Sequence, residues 1–200
     1  MSWIKTINYQ EATGKLKRFY DRIKGPDNSL DNVLTIHSLR PHSLEGHMVL
    51  YKNVLHHSGN SLPKWYLETL GTYVSHLNNC TYCVAHHSVG IKRNLQDDTK
   101  YQLIITAINT DDFKTVFDTK YAAGMHYAKL LTLHLNDASE AVIQQLRKVG
   151  FSDGEILEIN QLVSYFNYVN RTVVGLGVSL EKNHIGLSPN ASDDGNWLHK

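Results

Sequence analysis

Cys80 and Cys83 are the only thiols in 200 residues. They stand three apart, and His87 follows the second by four. On a helix these three side chains share one face, which places a base beside a thiol pair, the composition of a thiol redox site. Glu68 is the nearest carboxylate before them, twelve positions ahead of Cys80. Along one unbroken helix that is about 18 Å at ~1.5 Å per residue, so Glu68 reaches the thiols only if the chain bends.

Asn78-Asn79 offers the bend, because asparagine is a poor interior helix residue and a good N-cap. Cys80 then opens a second helix, whose positive dipole end favours a thiolate in the first turn. His87, one turn past Cys83, can take its proton directly or through a water. Glu68, returning along the preceding helix, can orient that imidazole or accept the proton in turn. Other readings compete. Zinc needs a further ligand from elsewhere, and no second CxxC or paired HxxxH follows. A c-type haem needs a histidine directly after the second cysteine, where Val84 stands. A disulfide closing a four-residue loop stabilises little. Two buried, inert cysteines remain as the bland alternative.

The pattern Glu68, eleven residues, Cys80-x-x-Cys83, three residues, His87 resembles the signature of the alkylhydroperoxidase AhpD-like proteins within the carboxymuconolactone decarboxylase superfamily. Residues 80–90, Cys-Thr-Tyr-Cys-Val-Ala-His-His-Ser-Val-Gly, are similar to its peroxidase-related branch. The likeness extends to residues 37–51 and 165–177 and covers most of 10–180. It implies an all-α multi-helix bundle that reduces hydroperoxides, with Cys83 attacking the peroxide, Cys80 resolving, and His87 and Glu68 relaying the proton. It further implies no cofactor, a lipoyl-bearing or thioredoxin-like dithiol partner as reductant, and a homo-oligomer. One departure matters. AhpD carries a histidine directly before the second cysteine, and here Tyr82 stands there. Tyrosine can hold a water or donate a hydrogen bond, but with a pKa near 10 it is a weak base at neutral pH, which implies slower peroxide turnover or a different substrate. Two other classes stay open: a decarboxylase-like lyase acting on a lactone, against which the cysteine pair argues, and a non-catalytic redox sensor or oligomeric scaffold.

The elements that must position these residues read as helices throughout, with no alternating strand pattern of useful length. Apolar side chains recur at helical spacing over residues 9–24, 43–57, 64–77, 80–94, 99–108, 113–135, 137–149 and 155–180, with 29–37 either helical or extended. Gly25-Pro26 and Gly150 act as stops. Ser61 with Pro63, Asp97-Asp98 and Ser152 act as starts. Leu157-Glu158 lies ninety positions after Leu67-Glu68, with Asn170, Val173 and Gly177 in place of Cys80, Cys83 and His87. That spacing suggests a degenerate second copy of the helix pair.

Length suits one domain, residues 1–181, or one built from two similar halves. From Lys182 the composition turns polar, which predicts a mobile tail, or one docked on a neighbouring subunit through Trp197. A net charge of +1 from 20 basic and 19 acidic side chains gives no electrostatic case for nucleic acid or an anionic membrane. No run approaches the roughly 18 apolar residues of a membrane span, and Met1 to Thr6 lacks a signal-peptide core. Cysteine usage points to a reducing compartment, the cytoplasm. Among twelve histidines, His47 falls within the family-like segment and is a candidate to line the pocket, although a histidine on an apolar face is more often a hydrogen-bonded core residue. His86 points about 100° away from His87, toward a neighbouring helix or solvent.

Overall fold

Residues 66–75 are buried along their whole length, which a helix achieves only where neighbours cover every side. They form the middle of α4 (Lys64–Leu77), and α5 (Thr81–Leu95), α7 (Thr119–Leu133) and α9 (Asp153–Gly175) pack around it. Tyr66, Leu67, Leu70, Tyr73 and Val74 are wholly removed from solvent, each worth about 1.5–3 kcal/mol if its side chain is apolar throughout. The polar residues among them are satisfied internally. Thr69, Thr72 and Ser75 donate their hydroxyls to the carbonyls of Trp65, Glu68 and Gly71 at 2.7, 2.8 and 2.7 Å, as buried hydroxyls on a helix do.

The computed structural model describes residues 2–189 and 197–199. Among them the remaining helices are α1 (Gly14–Ile23), α2 (Asn32–Thr35), α3 (Pro41–Tyr51), α6 (Asp98–Thr110) and α8 (Glu140–Lys148). No β-strand is present among the described residues, only an isolated bridge between Pro189 and His199. The chain is all-α, as expected. No helix among these residues is long and apolar enough to cross a membrane. The face of α1 formed by Leu16, Phe19, Tyr20 and Ile23 is buried, and the start of α9 is closed by reciprocal bonds between Ser152 and Glu155 at 3.2 and 2.8 Å, both following the sequence pattern.

The first helix begins at Gly14 and not at residue 9, and the last ends at Gly175 and not at 180; three further elements differ from the expectation. The helix expected over 43–57 starts at Pro41, whose missing N–H costs nothing in a first turn. It stops at Tyr51 and continues as one π-helical turn, Lys52–His56, that buries Val54, Leu55 and His56. The helix expected from residue 113 begins only at Thr119, because the Asp118 side chain accepts the Tyr121 N–H at 2.9 Å and fixes the start there. Phe113 and Phe117 are instead buried in the preceding turn. The expected second helix pair is the single helix α9. Tyr168 and Val169 stand where Asn78 and Asn79 stand in the first, and a β-branched valine does not take the left-handed backbone on which the break depends.

The tail is placed in part. Glu181, Gly186 and Ser188 bond to side chains of α5, Trp197 packs edge-on against Phe19 at 6.1 Å, and His199 is buried. The expectation of a mobile or subunit-docked tail for residues 190–196 and 200 lies outside the described residues.

Candidate active site

The break between α4 and α5 sets the site. Asn78 ends α4, Asn79 takes φ +56, a conformation asparagine tolerates better than other side-chain-bearing residues, and the Cys80 N–H returns to the Ser75 carbonyl at 2.8 Å. The bend is where the sequence predicts it, with one change: the asparagines close α4, and Cys80 itself occupies the N-cap of α5. Cys80 and Cys83 are joined as a disulfide with Cα atoms 5.4 Å apart. Both are buried, at 1% and 3% exposure.

The bend folds Glu68 back against α5, as the sequence requires. His87 Nδ1 lies 2.8 Å from Glu68 Oε2, and the carboxylate is 2% exposed. A carboxylate accepts, so Nδ1 carries the proton and Nε2 is left as the basic nitrogen. Gly90 makes this approach possible, because a Cβ there would land on the Glu68 carboxyl group. The rings of Phe166 and Tyr51 meet the imidazole edge-on at 4.7 and 6.4 Å and limit its tilt. Cys83, His87 and Glu68 all line one cavity of about 40 Å³, together with Asp31, His47, Tyr51 and Tyr165. Cys80 is not on its wall. Three of the four predicted residues therefore share one space, with Cys80 bonded to Cys83.

A second polar group adjoins the first. Tyr82 donates to Glu181 Oε1 at 2.7 Å and accepts from the Val33 N–H at 3.2 Å. Its ring stacks on His86 at 4.5 Å. Burial, together with the charges of Asp31 and Glu181, holds the phenol well above its ordinary range, so Tyr82 acts as a tether and not as a base. His86, expected toward a helix or solvent, is buried and lies 2.8 Å from Glu181 Oε2. Burial opposes the charge on Glu181, but bonds from His86, the Asn32 backbone and Tyr82 outweigh it and hold the carboxyl below its usual range.

Asp31 is a residue sequence reasoning missed. It precedes α2 in the N-cap position, yet its side chain caps nothing and lines the cavity at 8% exposure. Burial pushes its carboxyl up to about 7, with His86 opposing and Glu181 reinforcing. An aspartate before a short helix reads as a cap, so no sequence signal marks it. His47 lines the cavity, stacked on His37 at 4.8 Å, and its Nδ1 is unpartnered, unlike the hydrogen-bonded core histidine that the sequence favours. Burial pulls its imidazole down to about 3, which keeps it neutral.

Among the described residues, one group could gather around a cation: Asp31, His86 and Glu181, whose ligand atoms lie within 4.8 Å of one another. The hydrogen bonds argue against it. The Gly186 N–H donates to His86 Nδ1 at 3.3 Å, so Nε2, the nitrogen facing Glu181, carries the proton and offers no lone pair to a metal.

No protein-family model matches the sequence, and no curated protein matches it. Solved structures do resemble it. An AhpD-core, uncharacterized peroxidase-related protein from Ralstonia eutropha JMP134 aligns with a TM-score of 0.75 at 17% identity, over 90% of this chain and 93% of that one. An uncharacterized peroxidase-related protein from Silicibacter sp. TM1040 aligns at 0.67 and 21% identity, over 78% and 79%. The debrominase Bmp8 aligns at 0.63 and 16% identity, over 76% and 78%. At such identities the shared property is the fold, and on that ground the chain has the all-α AhpD-like fold.

Proposed function

We propose that this chain is a thiol-dependent peroxidase, an oxidoreductase that uses the Cys80/Cys83 pair to reduce a hydroperoxide. The observation that supports it most is the shared cavity: Cys83 fronts it beside the His87–Glu68 pair, and Cys80 is bonded to Cys83 off its wall. In the reduced protein His87 Nε2 takes the Cys83 proton, directly or through a water. The thiolate attacks the distal peroxide oxygen, the O–O bond breaks, and the alcohol leaves with that proton. Cys83 is now a sulfenic acid. The Cys80 thiol condenses with it to the disulfide and releases water. An outside dithiol restores the pair by exchange and is itself oxidised. The CxxC resemblance points to a lipoyl-bearing or thioredoxin-like reductant, a homo-oligomeric working form and a cytoplasmic setting.

Thiol titration before and after one equivalent of peroxide, followed by peroxide consumption with dihydrolipoamide or thioredoxin, tests the reading. The expected result is loss of two thiols per chain and sustained turnover. Unchanged thiols with lactone decarboxylation would select the lyase. Oxidation that alters assembly without turnover would select the sensor.

The likeness to the debrominase Bmp8, a cysteine-to-alanine variant of which forms a complex with 2,3,4-tribromopyrrole, favours a second reading. There the dithiol would supply two electrons, a C–Br bond would become C–H with release of bromide, and the disulfide would form. Bromide release from that pyrrole by the reduced protein, without peroxide consumption, would select it. A cavity of about 40 Å³ favours the smaller substrate and hence the peroxidase.

A further inference from the structure

The cavity in front of Cys83 has a wall that the helical bundle does not supply. Gly186, Leu187 and Ser188 of the C-terminal tail line it, next to Arg93 of α5. Directed contacts fasten this segment at both ends. At one end Glu181 holds Tyr82 and His86 of α5 at 2.7 and 2.8 Å, and Gly186 N–H donates to His86 Nδ1 at 3.3 Å. At the other, Arg93 donates to the Gly186 carbonyl at 2.7 Å and to Ser188 Oγ at 2.9 Å. Gly186 has φ +79, and a Cβ there would stand 2.6 Å from Val89 Cβ, so only glycine lets the segment lie this near α5. The space left is about 40 Å³. That is small beside the roughly 300–1,000 Å³ of ordinary ligand pockets, so a wall this near Cys83 favours hydrogen peroxide and short alkyl hydroperoxides over aromatic or long-chain ones.

We propose that residues 181–188 form a strap whose Gly186–Ser188 portion is the specificity-determining wall of this site and restricts Cys83 to hydrogen peroxide and the shortest alkyl hydroperoxides. The identity of the substrate rests on the peroxidase reading, whereas the exclusion by size does not. Bulky molecules reach Cys83 only when the strap lifts, and Arg93 is the side chain that ties it down at Gly186 and Ser188.

The test uses the full-length reduced protein, its Arg93→Ala variant and its milder Ser188→Ala variant, which removes one bond at a partly exposed position. Two rates are compared on each, with Cys83 followed by peptide mass. The first is alkylation by iodoacetamide against the bulkier, also neutral monobromobimane. The second is oxidation by hydrogen peroxide against cumene hydroperoxide. If bulky reagents use an open minority on the order of 0.1–10% of molecules, the parent favours the small member of each pair by about tenfold to a thousandfold over a free thiol. Arg93→Ala is expected to lower that preference by about tenfold, since bonds from a charged donor are the stronger kind, and Ser188→Ala by less. A parent that shows only the free-thiol preference, or variants that both keep the parent's preference, would overturn the strap. Size-selective alkylation with no oxidation by either hydroperoxide would support the strap and overturn the peroxidase reading instead.

Discussion

At the scale of single residues the two cysteines are not equivalent, because only Cys83 fronts the cavity. Cys83→Ser is expected to abolish peroxide consumption. Cys80→Ser should retain one stoichiometric oxidation and lose cycling, and equal turnover by both variants would rule the assignment out. His87→Ala is expected to slow Cys83 oxidation at neutral pH by about 10²–10⁴-fold and to move the pH–rate profile upward. A profile identical to the parent's would remove His87 from the mechanism. Asp31 gives a pH signature of its own. Its carboxyl is raised from 3.8 to about 7 in the fold, so the folded chain keeps a proton that the unfolded chain releases. That contribution is full below about pH 3.8 and is lost as pH rises through about 7, at about 1.4 kcal/mol per tenfold change in proton affinity. Asp31→Asn should therefore gain thermal stability over the parent most above about pH 7, and a difference that stays flat across this range would sink the burial argument. The meeting of His87 with Glu68 beside the Cys80–Cys83 pair was legible because these residue types and spacings are local. Asp31 and Glu181 were not, since each acquires its role from a partner that only the tertiary fold supplies.

At the scale of elements the α4–α5 junction decides whether Glu68 meets His87. It depends on Asn79 at φ +56, where a β-branched residue costs about 1–2 kcal/mol. Asn79→Val is expected to lower the unfolding midpoint accordingly and to slow Cys83 oxidation, while Asn79→Gly leaves both near the parent's values. Unchanged melting of the valine variant would show that the junction does not need this conformation. The junction and the Ser152–Glu155 start of α9 could be read from sequence, because caps and breaks are written in one or two residues. The π-helical turn Lys52–His56 could not. It carries no residue signature, and it inserts where burying Val54, Leu55 and His56 against neighbours outweighs the regular bond pattern. The late start of α7 was missed because Phe113 and Phe117 fit helical spacing yet bury themselves in a turn.

At the scale of the whole molecule, burial of uncharged histidines is expected to set the acid limit. Burial pulls His47 to about 3 and His199 to about 4. Below about 6.5 the unfolded chain takes up protons that the folded one refuses, so their contribution is full above about pH 6.5 and is lost as pH falls toward those values. Melting temperature is expected to drop over that range, and His47→Phe, which keeps a ring beside His37 and Tyr165, should flatten part of the drop. An equal slope in parent and variant would assign the acid limit elsewhere. All-α architecture was legible from periodicity alone. The covering of the site by residues 186–188 was not, because a polar segment with no apolar stripe gives no hint of the helix residues, Tyr82, His86 and Arg93, that hold it.

With both sulfurs screened from solvent, a protein-sized electron donor would reach them far less often than a molecule of two oxygens. If the pair cycles as proposed, it would be quick to fire and slow to re-arm. Between donor encounters most copies would wait in the spent form, and the balance of spent to ready copies would report how briskly the donor visits more than how much oxidant is about.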